Sequence, residues 1–427
     1  MLGKLLKYNR IKQGKKQEDI CRDICSVSYY SKIENNRINP ADEVFEQLLN
    51  RLNLTSSDLE KLDYEEMKRK LINWHSLIIR KQTSEAERVR NELAEEIEYF
   101  HDSHIQLMYL LFAARFAVFK EDIHYLEELR QAISEFSLEE VPEDIKFYYE
   151  KIHTIIYIFF ERYDQSRNHA CLASDYSKEV VLPEEELIDH FALLGRVGLE
   201  TGDYSISIDF TQRAINVYDR DYNLHLSGAC RVLLARAYRK VLKFEKAIEE
   251  LDKVAAISEQ TQNTRLEAEV LQMRGEIYAQ SNKQMDAIHC FQQSYRMRSG
   301  RERLVTIHSI LQEFEKLDSG QDILSWVAHG METISKLKNK RMLIPFDEKY
   351  ELKFLYYLVS YDRVHEKDFE ATVKEKILPF FEDLQDWVSI AFYSEKLGSY
   401  YEKRKEFDES LIWYKKSIQS LWARARY

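Results

Sequence analysis

Glycine and proline are scarce in this chain, 11 and 5 among 427 residues. Sheets with many tight turns consume both, so the shortage excludes a β-rich fold and points to helices. The five cysteines are odd in number and scattered, which is no disulfide framework. They read as reduced thiols of a cytoplasmic protein. No apolar run approaches the roughly 18 residues that cross a bilayer, the most apolar stretch being 154–160. The first 13 residues are basic and amphipathic and contain no apolar leader core. A glycine-rich phosphate loop, a nucleophile elbow and a His-Glu-x-x-His pair are all missing. Nothing in the sequence asks for catalysis, a cofactor or a metal.

What is present is unevenly distributed. Net charge is −11 overall, yet residues 1–40 carry +5 and no acid precedes Glu18. A small basic head on a large acidic body suits a nucleic-acid-binding module joined to a sensor or partner module. The length itself exceeds one hydrophobic core.

The head, residues 1–62, contains four short helical patterns. The first runs Leu2 to Gln13, with Leu2, Leu5, Leu6 and Ile11 inward and Gly14 as its C-cap. Gln17 to Ile24 form the second, Ser28 to Asn35 the third, and Pro40 to Leu52 the fourth. Two short helices joined by a tight turn form the unit that lays a recognition helix in the DNA major groove. Lys32 and Asn35 can read base edges, while Ser28 and Tyr29 suit bases or phosphates. Lys15, Lys16 and Arg37 flank the motif. Gln17 would open the second helix toward a phosphate. Glu34 can bond back to Arg10 and brace the bundle. Cys21 and Cys25 stand four apart with no further ligand nearby, which favours packing over metal. The histidines of His101-Asp102-Ser103-His104 likewise lack a third ligand and read as surface residues.

Arg10, Gly14, Gln17, Ile20, Ser31-Lys32-Ile33-Glu34-Asn35 and Pro40 resemble the phage-repressor type of helix-turn-helix. The string from Ile24 through Cys25, Ser28 and Ser31-Lys32-Ile33-Glu34 is similar to the peptide-pheromone-responsive regulators of Gram-positive bacteria, the RRNPP group and its PlcR- and NprR-like members. Asn36 departs from the glycine frequent after the recognition helix, but asparagine tolerates the left-handed conformation.

The body, residues 66–427, repeats itself. Gly195, Ala235 and Gly275 are each 40 residues apart, and each is followed by aromatic and small residues at tetratricopeptide spacing. Leu397-Gly398, Tyr401, Phe407, Ser410 and Tyr414 form the clearest unit. Weaker units centre on Thr154 and Tyr157, on Ala113 and Phe116, and on Trp74 and Leu77. The gap from Gly275 to Gly398 leaves room for two degenerate repeats, near 309–348 and 350–389. The expected fold is all-α: a helix-turn-helix bundle followed by a tetratricopeptide-type right-handed superhelix of about nine helical hairpins, whose concave surface suits an extended peptide.

The first helix of each hairpin should line that surface. Arg196, Arg236, Arg239 and Gln272 would face it, with Arg115 and Tyr148 from earlier repeats. Arginine holds carboxylates in a bidentate fork, so a peptide C-terminus is a fitting partner. Paired or solvated arginines remain the plain alternative, as core packing does for Phe147-Tyr148-Tyr149 and Tyr356-Tyr357. The resemblance implies a DNA-binding transcription regulator controlled by a short signalling peptide, acting in the cytoplasm as a homodimer or higher oligomer. The alternative is a repeat module that sequesters a response regulator or phosphorelay protein.

Overall fold

The computed structural model describes residues 2–35, 37–98, 100, 102–340, 342–362 and 364–426, with backbone alone for 2–5, 8, 56–63, 366 and 424–426. Asn36 and His101 therefore lie outside the described residues. Every regular element among those described is helical.

The head holds α1 (Leu2–Lys12), α2 (Gln17–Cys21), α3 (Val27–Glu34) and α4 (Asp42–Arg51). Gly14, at φ +64°, ends α1. The N–H groups of Gly14 and Lys15 turn back to the carbonyls of Ile11 (2.8 Å) and Arg10 (3.0 Å), the paired bonds of a glycine-type C-cap. The second helix is shorter than its sequence suggests. Asp23 enters the left-handed region at φ +62°, and the N–H groups of Ile24 and Cys25 both bond the Cys21 carbonyl at 3.0 Å. A tight turn thus replaces the last helical turn. Ser26 caps α3 by accepting the Tyr29 N–H at 3.2 Å. Leu6, Ile20, Cys21, Tyr30, Ile33, Leu48 and Leu49 form the core, so Cys21 packs as expected. Ile11 does not: it is exposed.

The chain divides into two compact units, residues 1–152 with 172–186, and 153–171 with 187–427. Beyond the head, the first unit contains helices Ser56–Ile79, Thr83–Ile97, Ser103–Lys120 and Ile123–Ser134, and it takes in much of Glu143–Phe159. Trp74 is fully buried there and donates its indole N–H to the Ala86 carbonyl at 2.8 Å.

In the second unit the helices pair in chain order: 184–201 with 204–220, 224–240 with 244–261, 264–280 with 284–297, 302–316 with 320–339, and 387–403 with 407–426. The first arms of successive hairpins touch, 224–240 on 264–280, then 302–316, then 345–361. The small residues are needed for arm-to-arm approach. A Cβ on Gly275 would lie 2.5 Å from Phe291, and one on Gly398 would lie 2.8 Å from Tyr414. The two degenerate repeats are real hairpins, but they begin at 302 and 345 rather than 309 and 350. The partner arm of 345–361 is broken into a 3-10 turn (Glu366–Asp368), a short α-helix (Phe369–Thr372), a π-helical turn (Val373–Ile377) and a final α-helix (Leu378–Asp383). That interruption hides its periodicity, and Pro379 withholds one backbone donor there.

Hairpin turns explain how the chain manages with so little glycine. Lys81, Glu121, Glu161, Gly202, Leu242 and Asn282 each occupy the left-handed region, 40 or 41 residues apart. The next N–H then reaches back five residues, as in Arg162 to Tyr157 (2.8 Å) and Lys243 to Tyr238 (2.9 Å). One of these turns makes distant contacts within the second unit. Glu161 pairs with Lys349 at 2.9 Å, and Arg162 pairs with Asp383 at 2.5 Å.

Candidate functional site

The head's surface is built on a buried brace. Glu34, 1% exposed, receives Arg10 Nε at 2.6 Å and Nη2 at 3.1 Å, and accepts the Gln17 amide at 2.5 Å. Burial opposes the Arg10 charge, but the hydrogen bond to Glu34 outweighs it and raises the guanidinium pKa above its ordinary value. This brace ties α1, α2 and α3 together. It also commits the Gln17 side chain inward, away from the phosphate role expected of it. Lys15 is likewise used by the fold: its ammonium caps the Arg51 carbonyl at 3.1 Å, at the end of α4.

What α3 leaves outward is narrower than the sequence suggests. Ser28 and Lys32 are exposed, and Lys16 and Arg37 flank them, also exposed. Tyr29 is half-buried against the head core. Asn35 is exposed, but its amide donates to the Ser31 carbonyl at 2.7 Å and closes its own helix. The exposed set is a cation and a hydroxyl one helical turn apart, with further cations at the flanks. Such a face can bond base edges and phosphates together.

In the second unit, Arg236, Arg239 and Gln272 lie on the touching arms 224–240 and 264–280, and Arg196 is exposed on 184–201. Carboxylates that no sequence motif marks hold two of these arginines. Arg236 pairs with Glu269 at 2.7 Å and Arg239 with Glu276 at 2.8 Å. Arg298 adds a second cation to Glu269 at 2.8 Å. Burial disfavours both charges. The attraction of Glu269 and Glu276 still raises the Arg236 pKa, and Arg236 and Arg298 hold Glu269 below its usual range. Gln272 is fully buried, donating to Ser309 at 2.9 Å and accepting from Thr306 at 2.9 Å. It bonds arm to arm and presents nothing outward.

A cleft of about 390 Å³ opens beside this network, lined by Arg239, Glu276, His308, Ser309, Lys316 and Tyr350. Two basic groups near it are held against their charge. His308 sits well below its ordinary pKa through burial and the nearby Lys353 and Lys349. Lys353 is lowered to about 8, by burial first and then by Lys349.

The first unit places Arg115 and Tyr148 in a different setting. Arg115 Nη1 lies 3.1 Å from His75 Nε2, and His75 Nδ1 lies 2.5 Å from Glu186. Arginine only donates, so Nε2 accepts and Nδ1–H donates to Glu186: the ring is neutral. Burial drives the His75 pKa down in agreement. Lys151, fully buried, closes the cluster on Glu186 at 2.7 Å. Tyr148 is 1% exposed and stands edge-on to Phe112 at 5.0 Å. It is a core residue here, as are Phe147 and the pair Tyr356 and Tyr357.

A helix-turn-helix family model matches residues 6–59. The chain is 27% identical over 402 residues to the transcriptional activator NprA of Geobacillus stearothermophilus, spanning 93% of this chain and 98% of that one. Its fold is similar to a Rap protein complexed with competence and sporulation factor, with a TM-score of 0.70, 14% identity, and 85% and 99% of the two chains covered. It is also similar to NprR in complex with its cognate peptide NprX, with a TM-score of 0.66, 19% identity, and coverage of 83% and 99%. At these identities the solved structures speak for the fold, an all-α chain of tetratricopeptide-type hairpins. The similarity to NprA thus runs well beyond the head, along nearly the whole chain. No helix among the described residues is long and apolar enough to cross a membrane, and no cluster of three metal-ligating side chains occurs among them.

Proposed function

We propose that the chain is a member of the peptide-responsive transcription regulators it resembles: a cytoplasmic, non-enzymatic DNA-binding protein whose repeat array takes a short signalling peptide. Residues 1–62 form the DNA-binding domain and 66–427 the sensing and dimerisation domain. The observation that carries the reading is α3. Its outward Ser28 and Lys32, with Lys16 and Arg37 beside them, stand on a buried Arg10–Glu34–Gln17 brace inside the segment that matches the helix-turn-helix model. Tyr29 and Asn35 complete the face at its edges. One such unit reads few bases, so the chain acts as a homodimer on paired half-sites.

In the array, Arg196, Arg236 and Arg239 are the groups proposed to meet the peptide, with Arg115 in the first unit. Tyr148 and Gln272 act from beneath the surface, positioning their neighbours. A peptide carboxylate entering at Arg236 or Arg239 exchanges with Glu269 or Glu276. NprR is solved with a peptide and a Rap protein with a sporulation factor, which supports a peptide as the ligand class. The same array can also grip a response-regulator protein.

The test uses the full chain and a duplex that it selects from a random pool. Binding weakens steeply with salt, as phosphate contacts require. Lys32→Ala lowers affinity by roughly 10- to 100-fold, the worth of a lost base contact, with an unchanged circular dichroism spectrum. Affinity for the selected duplex that is the same in Lys32→Ala as in wild type overturns the assignment.

A further inference from the structure

The connection between the arms 284–297 and 302–316 is basic, although the body around it is acidic. Residues 296–303 hold four arginines and one acid. Two of these arginines are buried and neutralised: Arg298 pairs with Glu269 at 2.8 Å and Arg301 with Asp347 at 3.2 Å. Arg303 is held without a carboxylate. Its Nε donates to the Arg298 carbonyl at 2.7 Å, and its guanidinium lies 4.6 Å from the centre of the Tyr295 ring. The carbonyl and the ring fix the plane of the group and leave both terminal nitrogens for another acceptor. Arg303 also stands in the first turn of helix 302–316, where the helix dipole disfavours a cation. The acid of that turn, Glu302, is engaged with Arg265 at 2.9 Å.

A cavity of about 210 Å³ lies against Arg303, lined also by Gly300, Thr333, Lys336, Leu337 and Lys340. Lys336 and Lys340 stand four apart at the end of helix 320–339, on one face of it. Like charges at that spacing repel, a cost that a bound anion removes. Lys340 is exposed and has no carboxylate at ion-pair distance among the described contacts. Lys336 pairs with Glu332 at 2.7 Å, but both side chains are well exposed, and such a pair gives way easily. The Thr333 hydroxyl is committed to the His329 carbonyl at 2.9 Å. Three cations thus border a cavity that no acid lines, and half-buried stems and Leu337 give it an apolar wall.

We infer that this cavity is a binding site for the phosphoryl group of a small phosphate monoester or of free phosphate. The site is separate from the DNA-binding face and from the cleft at Arg239, and the inference does not rest on either. A carboxylate offers two oxygens and one charge, which Arg303 alone would satisfy. A phosphoryl group offers three oxygens and close to two charges, matching an arginine and two lysines. The cavity is too small for more than the phosphoryl group and a small body, which would rest on Leu337. A nucleic-acid backbone is a poorer match. It needs a continuous basic track, and Glu332 and Glu351 interrupt the outward lysines, Glu351 pairing with Lys338 at 2.6 Å.

Calorimetry of the full chain at pH 8, with inorganic phosphate, phenyl phosphate and benzoate as probes, tests the inference. Phenyl phosphate binds one site per chain with a dissociation constant of roughly 1 mM or below, and benzoate binds at least tenfold more weakly. Arg303→Gln weakens phenyl phosphate roughly tenfold or more, as loss of a charged hydrogen bond requires. Lys340→Gln weakens it several-fold. Both variants melt like wild type in the absence of ligand. Lys338→Gln, outside the cavity, binds like wild type. Inorganic phosphate that matches the ester identifies free phosphate as the ligand, whereas a tighter ester identifies a monoester resting on the apolar wall; either result supports the site. Benzoate that binds as tightly as phenyl phosphate overturns the inference, as does the absence of binding up to about 10 mM. Binding that survives Arg303→Gln but is lost in Lys32→Ala places the phosphoryl group on the head, which overturns this site and leaves the DNA-binding reading standing.

Discussion

The third helix of the head and the first arms of the repeat array both offer cations to an anionic partner, but they hold them differently. Lys32 stands exposed on a helix whose buried side does the bracing, and no ion pair constrains it among the described contacts. Arg236 and Arg239 are already bound to Glu269 and Glu276. On the proposed reading a phosphate finds the head ready, whereas a carboxylate reaching Arg236 or Arg239 must displace one. On that reading the head binds on contact, and Arg236 and Arg239 bind by exchange, so the response there depends on what the incoming group replaces.

The largest effect belongs to the brace. Glu34→Ala leaves Arg10 partly buried without its carboxylate, and removing one partner of a buried pair destabilises by about 3 kcal/mol or more. Thermal melts of the full chain should show an early transition, with binding to the selected duplex lost. A melt and affinity equal to wild type would mean that the head does not depend on this pair, and the contrast with the array would collapse.

Next comes Lys353, a cation of the array with no carboxylate at ion-pair distance among the described contacts. Its folded pKa of about 8 lies below its ordinary 10.5. The unfolded chain thus binds the extra proton between those values, and stability rises as pH rises through that window. Below about 8 the buried charge is a standing penalty. Lys353→Met should raise the melting temperature at pH 7 by roughly 2–4 °C, with the gain shrinking as pH approaches 10.5. A gain that is flat with pH would show that packing, not charge, is responsible.

The smallest effect sharpens the exchange itself. Glu276→Gln frees Arg239 from its 2.8 Å partner. A short peptide selected by the wild-type chain should bind this variant a few-fold more tightly in calorimetry, and its C-terminal amide should gain nothing. Equal gains for acid and amide would place the carboxylate elsewhere.

Much of this architecture can be read from the sequence because close approach leaves a mark. Gly275 and Gly398 sit where a Cβ would strike an aromatic ring, and a steric demand repeated at each hairpin becomes a period. The Arg10–Glu34 brace is legible for a similar reason, being part of a compact motif. The partners of Arg236 and Arg239 are not, since the chain has 73 acidic residues and no motif singles out these two. Their separations, 33 and 37 residues, are nonetheless one repeat less one or two helical turns. Gln272 and Ser309 keep the same 37. That offset, applied along the first arms, would have found the pairs. The broken arm 366–383 escapes because a π-helical turn shifts the phase on which helical periodicity rests.

The turn at Glu161 and Arg162 bears on how the array comes apart. Hairpins that touch only their neighbours can fray one at a time, and each then has its own stability. Arg162 joins Asp383 across 221 residues of chain. A contact of that separation forms late, once the intervening hairpins have stacked, because the loop it closes is long. Once formed, it makes loss of the 345–383 pair felt at 153–171 without passing through each hairpin between. The chain of neighbours is thereby cross-linked at this turn, and its melting should be sharper than the sum of its repeats.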